Sequence, residues 1–459
     1  MHDRPSLCYV TRVRKYLSQS MIEQAGRKTG MVDMDGSGLA GEHVRLPAEL
    51  DSPWPGMPAS HEGQCPAATA LALLAQGVDR LRAVRWADFA LDDKRCGSHP
   101  RCLWRAVTVL LCSGDLIHAD AQIRKLESTC TGLSGDLIVL LRSQYARLVG
   151  DPTEGRKIIK AVLAAEPSAF IRQLAIPFLV ATYVATDDAE EAYALLSEVN
   201  FDEIIADSTF TLPLNLVVRG SVYLALANYD SGPDELRLER LKQATVDLLE
   251  SMHYPGAELS ANFAVMHRCG LAALAAARVG LGELASGLAE QEKASAMAWG
   301  SPSAVGWALF VCAMTENSSA TVDALADAVD LLEVAYSRVE LAAAGYQAGL
   351  KSADAKDGSS ARRDFERVVE WAEKTGNATL IKKAKDALSG ATSSGLAHQL
   401  TAQEGKIAQL ARTGYTNKQI AEKLCLTIRT VEFHLSNVYR KLGVSGRREL
   451  KNAKAYDSL

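Results

Sequence analysis

Between about residues 66 and 388 the apolar residues, mostly Ala and Leu, recur at three- and four-residue steps with short polar breaks, and period-two alternation is nearly absent. That pattern predicts an all-α region. Ahead of it, residues 28–65 are crowded with Gly and Pro ("GSGLAGEHVRLPAELDSPWPGMP") and keep no period, so residues 1–65 are expected to be irregular or partly disordered. After it, "SGATSSGLAHQ", residues 389–399, has the small polar composition of a linker that cannot bury enough surface to order itself. Residues 400–459 return to helical spacing and are expected to form a separate four-helix domain. Thr401 can cap a first helix, "AQEGKIAQLA", with Glu404 at the third position of a capping box, and Gly414 would close it. Thr416 caps "NKQIAEKL", Thr427 caps a third helix running to about Leu442, and Ser445 can open a fourth.

The polar breaks of the long helical region have a recurring form. In "GRKIIKAVLAAEP", Gly155, Ile159, Val162 and Pro167 stand at a spacing that resembles the second helix of a tetratricopeptide repeat. Ala189, Tyr193 and Leu196 repeat the first three positions 34 residues later, that repeat's usual period, and Ala361, Phe365 and Val368 show the pattern again. Residues 66–388 are therefore expected to form a TPR-like solenoid of stacked helix pairs. In it the small residue lets helices approach and the large one fills the neighbouring pair, so these positions are core. Trp86, Trp104, Trp307 and Trp371 sit among apolar helical residues and belong to the core as well. Between 200 and 335 the repeats are too irregular to number.

Composition refines this picture in few places. The chain has 459 residues, 48% hydrophobic and 23% charged, with a net charge of −5, all ordinary globular values. The charge is unevenly placed: residues 396–459 hold 11 Lys and Arg against 5 Asp and Glu, a net of +6, which leaves −11 for the remainder. Only the tail suits a polyanion. The start, "MHDRPSLCYVTRVRKYL", lacks a signal-peptide run and stretches such as "AIPFLVATYVA" are too short to span a bilayer, so a cytoplasmic protein without membrane contact is expected. Nine cysteines without a regular framework fit reduced thiols.

Candidate small-molecule sites fail on their own spacing. "CGSHPRC" sets Cys96, His99 and Cys102 at three-residue steps, but no fourth ligand or second pair follows, so no metal is expected. "GDPTEGRK", Gly150 to Lys157, has glycines five apart like a phosphate loop. Arg156 stands where that loop needs Lys, Lys157 where it needs a hydroxyl, and no strand precedes Gly150. It is expected to be a turn between helices. No GxSxG, HExxH or paired CxxC occurs, and neither a catalytic residue nor a cofactor is expected.

The third C-terminal helix, 427–442, carries the chemistry. Val431, Leu435, Val438 and Leu442 fall on one stripe, and at about 100° per residue Arg429, Glu432, Phe433, Ser436 and Arg440 gather opposite it. A face of this composition can enter the major groove, where Arg reads guanine, Glu accepts from cytosine and an aromatic touches the thymine methyl. Thr430, Asn437, Lys441 and, on the second helix, Lys418 flank that face and suit phosphate contacts.

These residues carry a resemblance. "LTAQEGKIAQLARTGYTNKQIAEKLCLTIRTVEFHLSNVYRKLGVSGRREL" resembles the LuxR-type helix-turn-helix domain in its opening "LT", in "GYTNKQIA", in the T-x-x-T-V-x-x-H-L run and in "KLGV" followed by Arg. The resemblance implies a third helix that reads DNA, a fourth that often dimerises, and activation of transcription in bacteria. It thus implies promoter DNA as partner, a homodimer on it, and RNA polymerase. Two positions depart: Gly405 interrupts a helix where a charged residue is usual, and Glu432 stands where Lys is frequent. More loosely, the helical region resembles the C-terminal half of the large ATP-binding LuxR regulators of actinobacteria, without their phosphate loop. The chain is then expected to be a shortened member whose helical region senses a ligand or protein. The competing expectation is an interaction scaffold whose solenoid surface is the main function.

Overall fold

The computed structural model describes residues 65–207, 211–227, 234–252, 267–316, 321–354, 358–398, 402–424, 428–442 and 446–452, and among these every regular element is helical. Residues 1–64 lie outside the described residues. By internal contacts the chain divides into two units, residues up to Ala344 with Trp371–Leu380, and Gly345–Glu370 with Ile381–Leu459.

The first unit opens with α1 (Pro66–Gln76), α2 (Arg80–Asp92), a 3-10 turn (Cys96–Ser98), α3 (Pro100–Cys112) and α4 (Leu116–Glu127). It continues with α5 (Gly132–Leu148), α6 (Pro152–Ala164), α7 (Ala169–Ala185), α8 (Ala189–Glu198) and α9 (Phe201–Asp207). α10 (Leu212–Leu226), α11 (Asp234–Ser251), α12 (Arg268–Arg278), α13 (Gly282–Trp299), α14 (Pro302–Thr315) and α15 (Thr321–Val334) follow. Prolines open α1, α3, α6 and α14, where the missing N–H costs nothing. Asp79, Asp115, Asp151 and Ser168 cap α2, α4, α6 and α7 by accepting from the third backbone N–H onward.

Two rows emerge. In one, α1, α3, α5, α7, α10, α12 and α14 each pack on the next of the series; α2, α4, α6, α8, α11 and α13 lie between consecutive members, and α15 pairs with α14. This is the layered stacking of a helical repeat. Helices of the first row are the more deeply buried: α3 buries ten consecutive or near-consecutive residues from Arg101 to Leu111, Arg101 and Arg105 among them. Those of the second row are amphipathic, and α6 buries only Pro152, Gly155 and Ile159. Trp86, Trp104 and Trp307 are core residues, as their surroundings in the sequence suggest.

The small positions work as spacers. A Cβ on Gly155 would lie 2.8 Å from the Ser143 carbonyl oxygen of α5, and one on Gly306 would lie 2.8 Å from the Leu332 side chain of α15. Gly150–Lys157 is the turn and the first turns of α6. Its Arg156 donates to Asp188 at 2.8 Å and to the Thr182 carbonyl at 3.2 Å and covers the Tyr183 ring, so the residue in the lysine position of the phosphate-loop spacing ties α6 to α7 and the start of α8.

Elements distant in the chain also meet within this unit. The Trp299 indole donates to the Cys112 carbonyl at 3.1 Å across 187 residues. Gly150 packs on the Arg338 side chain and Gly376 on Thr153.

The second unit takes in parts of α16 (Arg338–Asp354), α17 (Gly358–Thr375) and α18 (Ala378–His398), then α19 (Ala402–Arg412), α20 (Asn417–Leu424), α21 (Ile428–Leu442) and α22 (Arg447–Asn452). Ala361, Phe365 and Val368 are buried on α17, and a Cβ on Gly349 of α16 would lie 2.7 Å from the Phe365 ring.

Two expectations are corrected. Tyr193 is 39% exposed instead of plugging a neighbouring pair. The short α9 intervenes between α8 and α10 and delivers Phe201 to the core, so Tyr193 stays at the rim beside Tyr223 and under the Arg240 guanidinium. Residues 389–398 are not a coil: α18 runs through to His398, because no proline interrupts and Gly390 and Gly395 cost only about 1 kcal/mol each. His99, which stands between Cys96 and Cys102 in a spacing from which no metal was expected, is not grouped with them. Cys65, just ahead of α1, is, with the three sulfurs within 4.8 Å of one another. No described cysteine is in a disulfide. Among the described residues no helix is long and apolar enough to cross a membrane.

Candidate nucleic-acid interface

α19 to α22 build a small core of their own. Ile407, Ala408 and Ala411 of α19, Ile420 and Ala421 of α20, Val431, Leu435 and Val438 of α21 and Leu450 of α22 are all buried together. The stripe expected on α21 is thus the buried one, with the side chain of its fourth member, Leu442, outside the described residues.

The turns are locked by local hydrogen bonds. Gly414 adopts φ +97° after α19 and its N–H reaches the Ala411 carbonyl at 3.2 Å, a conformation that a side chain would strain. Thr416 caps α20 by accepting from the Gln419 N–H at 3.3 Å, and Gln419 returns the favour by accepting from the Thr416 N–H at 2.9 Å. The reciprocal pair is a full capping box, legible in "TNKQ" as a Thr followed three residues later by Gln. Thr401, Thr427 and Ser445, expected as caps, lie outside the described residues, as does the Glu404 side chain.

Arg447 of α22 holds α20 in place. Its guanidinium donates to the Tyr415 carbonyl and, at 2.6 Å, to Asn417 Oδ1, so the start of α20 is tied to α22. Lys423 donates to the Tyr415 hydroxyl at 3.0 Å and sits 4.2 Å from the ring centroid. That hydrogen bond and the lysine charge hold the Tyr415 phenol below its ordinary range. Lys423 does not stand out in the sequence; Arg447, the Arg that follows "KLGV", does, but the groups it holds become visible only in the folded domain.

On the face of α21 away from the core, Glu432 and Ser436 are exposed. The Ser436 hydroxyl donates to the Glu432 carbonyl at 2.9 Å, one turn back. Thr430 is half-buried, and Lys418 on α20 is exposed. Arg429, Phe433, Asn437, Arg440 and Lys441 take their positions along α21, and their side chains lie outside the described residues. The helix begins at Ile428, the residue after the expected cap Thr427.

A family model described as bacterial regulatory proteins, luxR family, matches residues 398–452. The HTH-type transcriptional regulator MalT of Serratia proteamaculans (strain 568) is 42% identical over 50 residues, which are 11% of this chain and 6% of that relative. The family match takes in the segment that builds the α19–α22 core. With the packed α20–α21 pair, the capped turn and the exposed polar face of α21, residues 398–452 are a helix-turn-helix domain of the luxR family of bacterial regulatory proteins.

Proposed function

We propose that this chain is a transcriptional regulator that binds promoter DNA as a homodimer by placing α21 in the major groove. The observation that carries the reading is the split of α21: Val431, Leu435 and Val438 are buried while Glu432 and Ser436 stand exposed on the far side, in a segment of net charge +6. Arg429, Glu432, Phe433, Ser436 and Arg440 contact base edges; Lys418, Thr430, Asn437 and Lys441 contact phosphates. The regulator acts as an activator and engages RNA polymerase, and the stacked helices of the first unit receive its signal. No enzymatic step belongs to this reading. The relative's own role as a transcriptional regulator supports the same assignment.

The test is selection of duplexes from a randomised pool by the full-length chain, followed by mapping of bound promoters and of transcription beside them. A shared sequence motif with transcription rising next to bound sites is the expected result. Retention of duplex without sequence preference and without effect on adjacent genes overturns it. It would favour the second reading, a scaffold that DNA merely localises. That reading draws on Leu81, Phe89 and Ile117, exposed on α2 and α4, two helices joined by the Asp88–His118 contact.

A further inference from the structure

Three thiols meet at the beginning of the helical region, among residues that the DNA-binding reading does not use. Cys65 precedes α1, Cys96 sits in the 3-10 turn and Cys102 in the first turn of α3, so the packing of α1 against α3 brings them together. Cys65 Sγ stands 3.6 Å from Cys96 Sγ and 3.6 Å from Cys102 Sγ. All three side chains are buried, at 7%, 1% and 1% exposure. A tetrahedral zinc ion with Zn–S bonds of about 2.3 Å holds its sulfurs about 3.8 Å apart, whereas a disulfide requires about 2.05 Å. Two sides of the triangle are therefore close to the dimensions of a metal-thiolate face and far from those of a covalent bridge, and the third lies within 4.8 Å.

The charge around it fits as well. Arg105, one turn further along α3, is fully buried and its positive charge acts on Cys65. Three thiolates around a divalent ion carry a net charge of −1, which a buried cation compensates. Among the described cysteines, Cys112, Cys130, Cys269 and Cys312 belong to no such group.

We infer that Cys65, Cys96 and Cys102 form a binding site for a thiophilic cation, zinc(II) or copper(I), that pins the start of α1 to α3. Soft thiolate donors select these ions over magnesium or calcium. Three thiol sulfurs become metal ligands and their protons pass to solvent, with no change of oxidation state. His99, though midway between two of the ligands in sequence, is not among them.

The full-length chain, reduced and stripped of metal with a chelator, is titrated with Zn2+ in one arm and with Cu+ under anaerobic conditions in the other. Co2+ serves as an optical probe for zinc. One ion per chain, thiolate-to-cobalt charge-transfer absorption and a raised unfolding midpoint are expected. Cys65→Ser, Cys96→Ser and Cys102→Ser should each lower affinity by more than the roughly 10–100-fold that loss of an outer partner costs. Cys269→Ser and Cys312→Ser should leave it unchanged. X-ray absorption at the metal edge of the unaltered chain must count three sulfur neighbours, which decides the matter even where a variant fails to fold. Fewer than three sulfurs, no uptake by the reduced chain, or a disulfide among the three in place of uptake would overturn the inference.

Discussion

Ser436 has one hydroxyl proton, and the Glu432 carbonyl already receives it. Toward solvent it can offer only lone pairs, as can the exposed Glu432 carboxylate. The two polar residues described as exposed on α21 are thus both acceptors, suited to the exocyclic amino groups of cytosine or adenine. Changing Glu432 to Ala should raise nonspecific affinity and relax preference at a single operator position by about 1–3 kcal/mol, read by selection from a randomised pool. An unaltered preference profile with only a small stability loss, about 0.2–0.5 kcal/mol, would instead mark Glu432 as a helix-stabilising partner of Arg429. At this scale the buried stripe of α21 was legible because helical period alone dictates it. The thiol group was only half legible: the spacing of Cys96 and Cys102 pointed to His99, and nothing local marks Cys65, which joins them through the packing of α1 on α3.

Two glycines on helices show how differently one residue type behaves. Gly405 in α19 has no atom within 4 Å of where a Cβ would stand, so Gly405→Ala should stabilise the C-terminal domain by about 0.8–1 kcal/mol. Gly155 in α6 faces the Ser143 carbonyl, and Gly155→Ala should destabilise the first unit by about 1–3 kcal/mol despite its better helix propensity. Urea unfolding of the full chain, with each transition assigned separately, checks both signs. The helix pairs were legible from such small positions wherever the spacing stayed regular, as at Gly155 and Ala361. Tyr193 shows why the reading failed elsewhere: the added α9 shifts the next pair, and an insertion of that kind leaves the local spacing of α8 intact. The helical continuation of α18 was hidden for a related reason, since composition reports what a segment could bury and not that a preceding helix can extend through it.

The charge on the whole molecule is divided, with +6 on residues 396–459 and −5 in total. Because the core of α19–α22 is drawn only from residues 407–450, a fragment of residues 393–459 should fold alone. It should bind nonspecific duplex more tightly than the full chain at low salt, with the two converging as salt screens the acidic remainder. In both, log affinity should fall linearly with log salt, by about 0.9 per phosphate neutralised. Fluorescence anisotropy across a salt series checks this, and a fragment that binds no more tightly than the full chain would show that the acidic remainder exerts no field on the duplex. The indole of Trp299 on the Cys112 carbonyl has a different reach. A linear stack of helix pairs frays from its ends, each pair held only by its neighbours. A bond spanning 187 residues instead turns part of the stack into a closed circuit, which must wait for everything between to order before it can form. With the Gly150–Arg338 and Gly376–Thr153 contacts it belongs to the late-forming links of the unit, and while it holds, the helix pairs inside the circuit no longer fray independently.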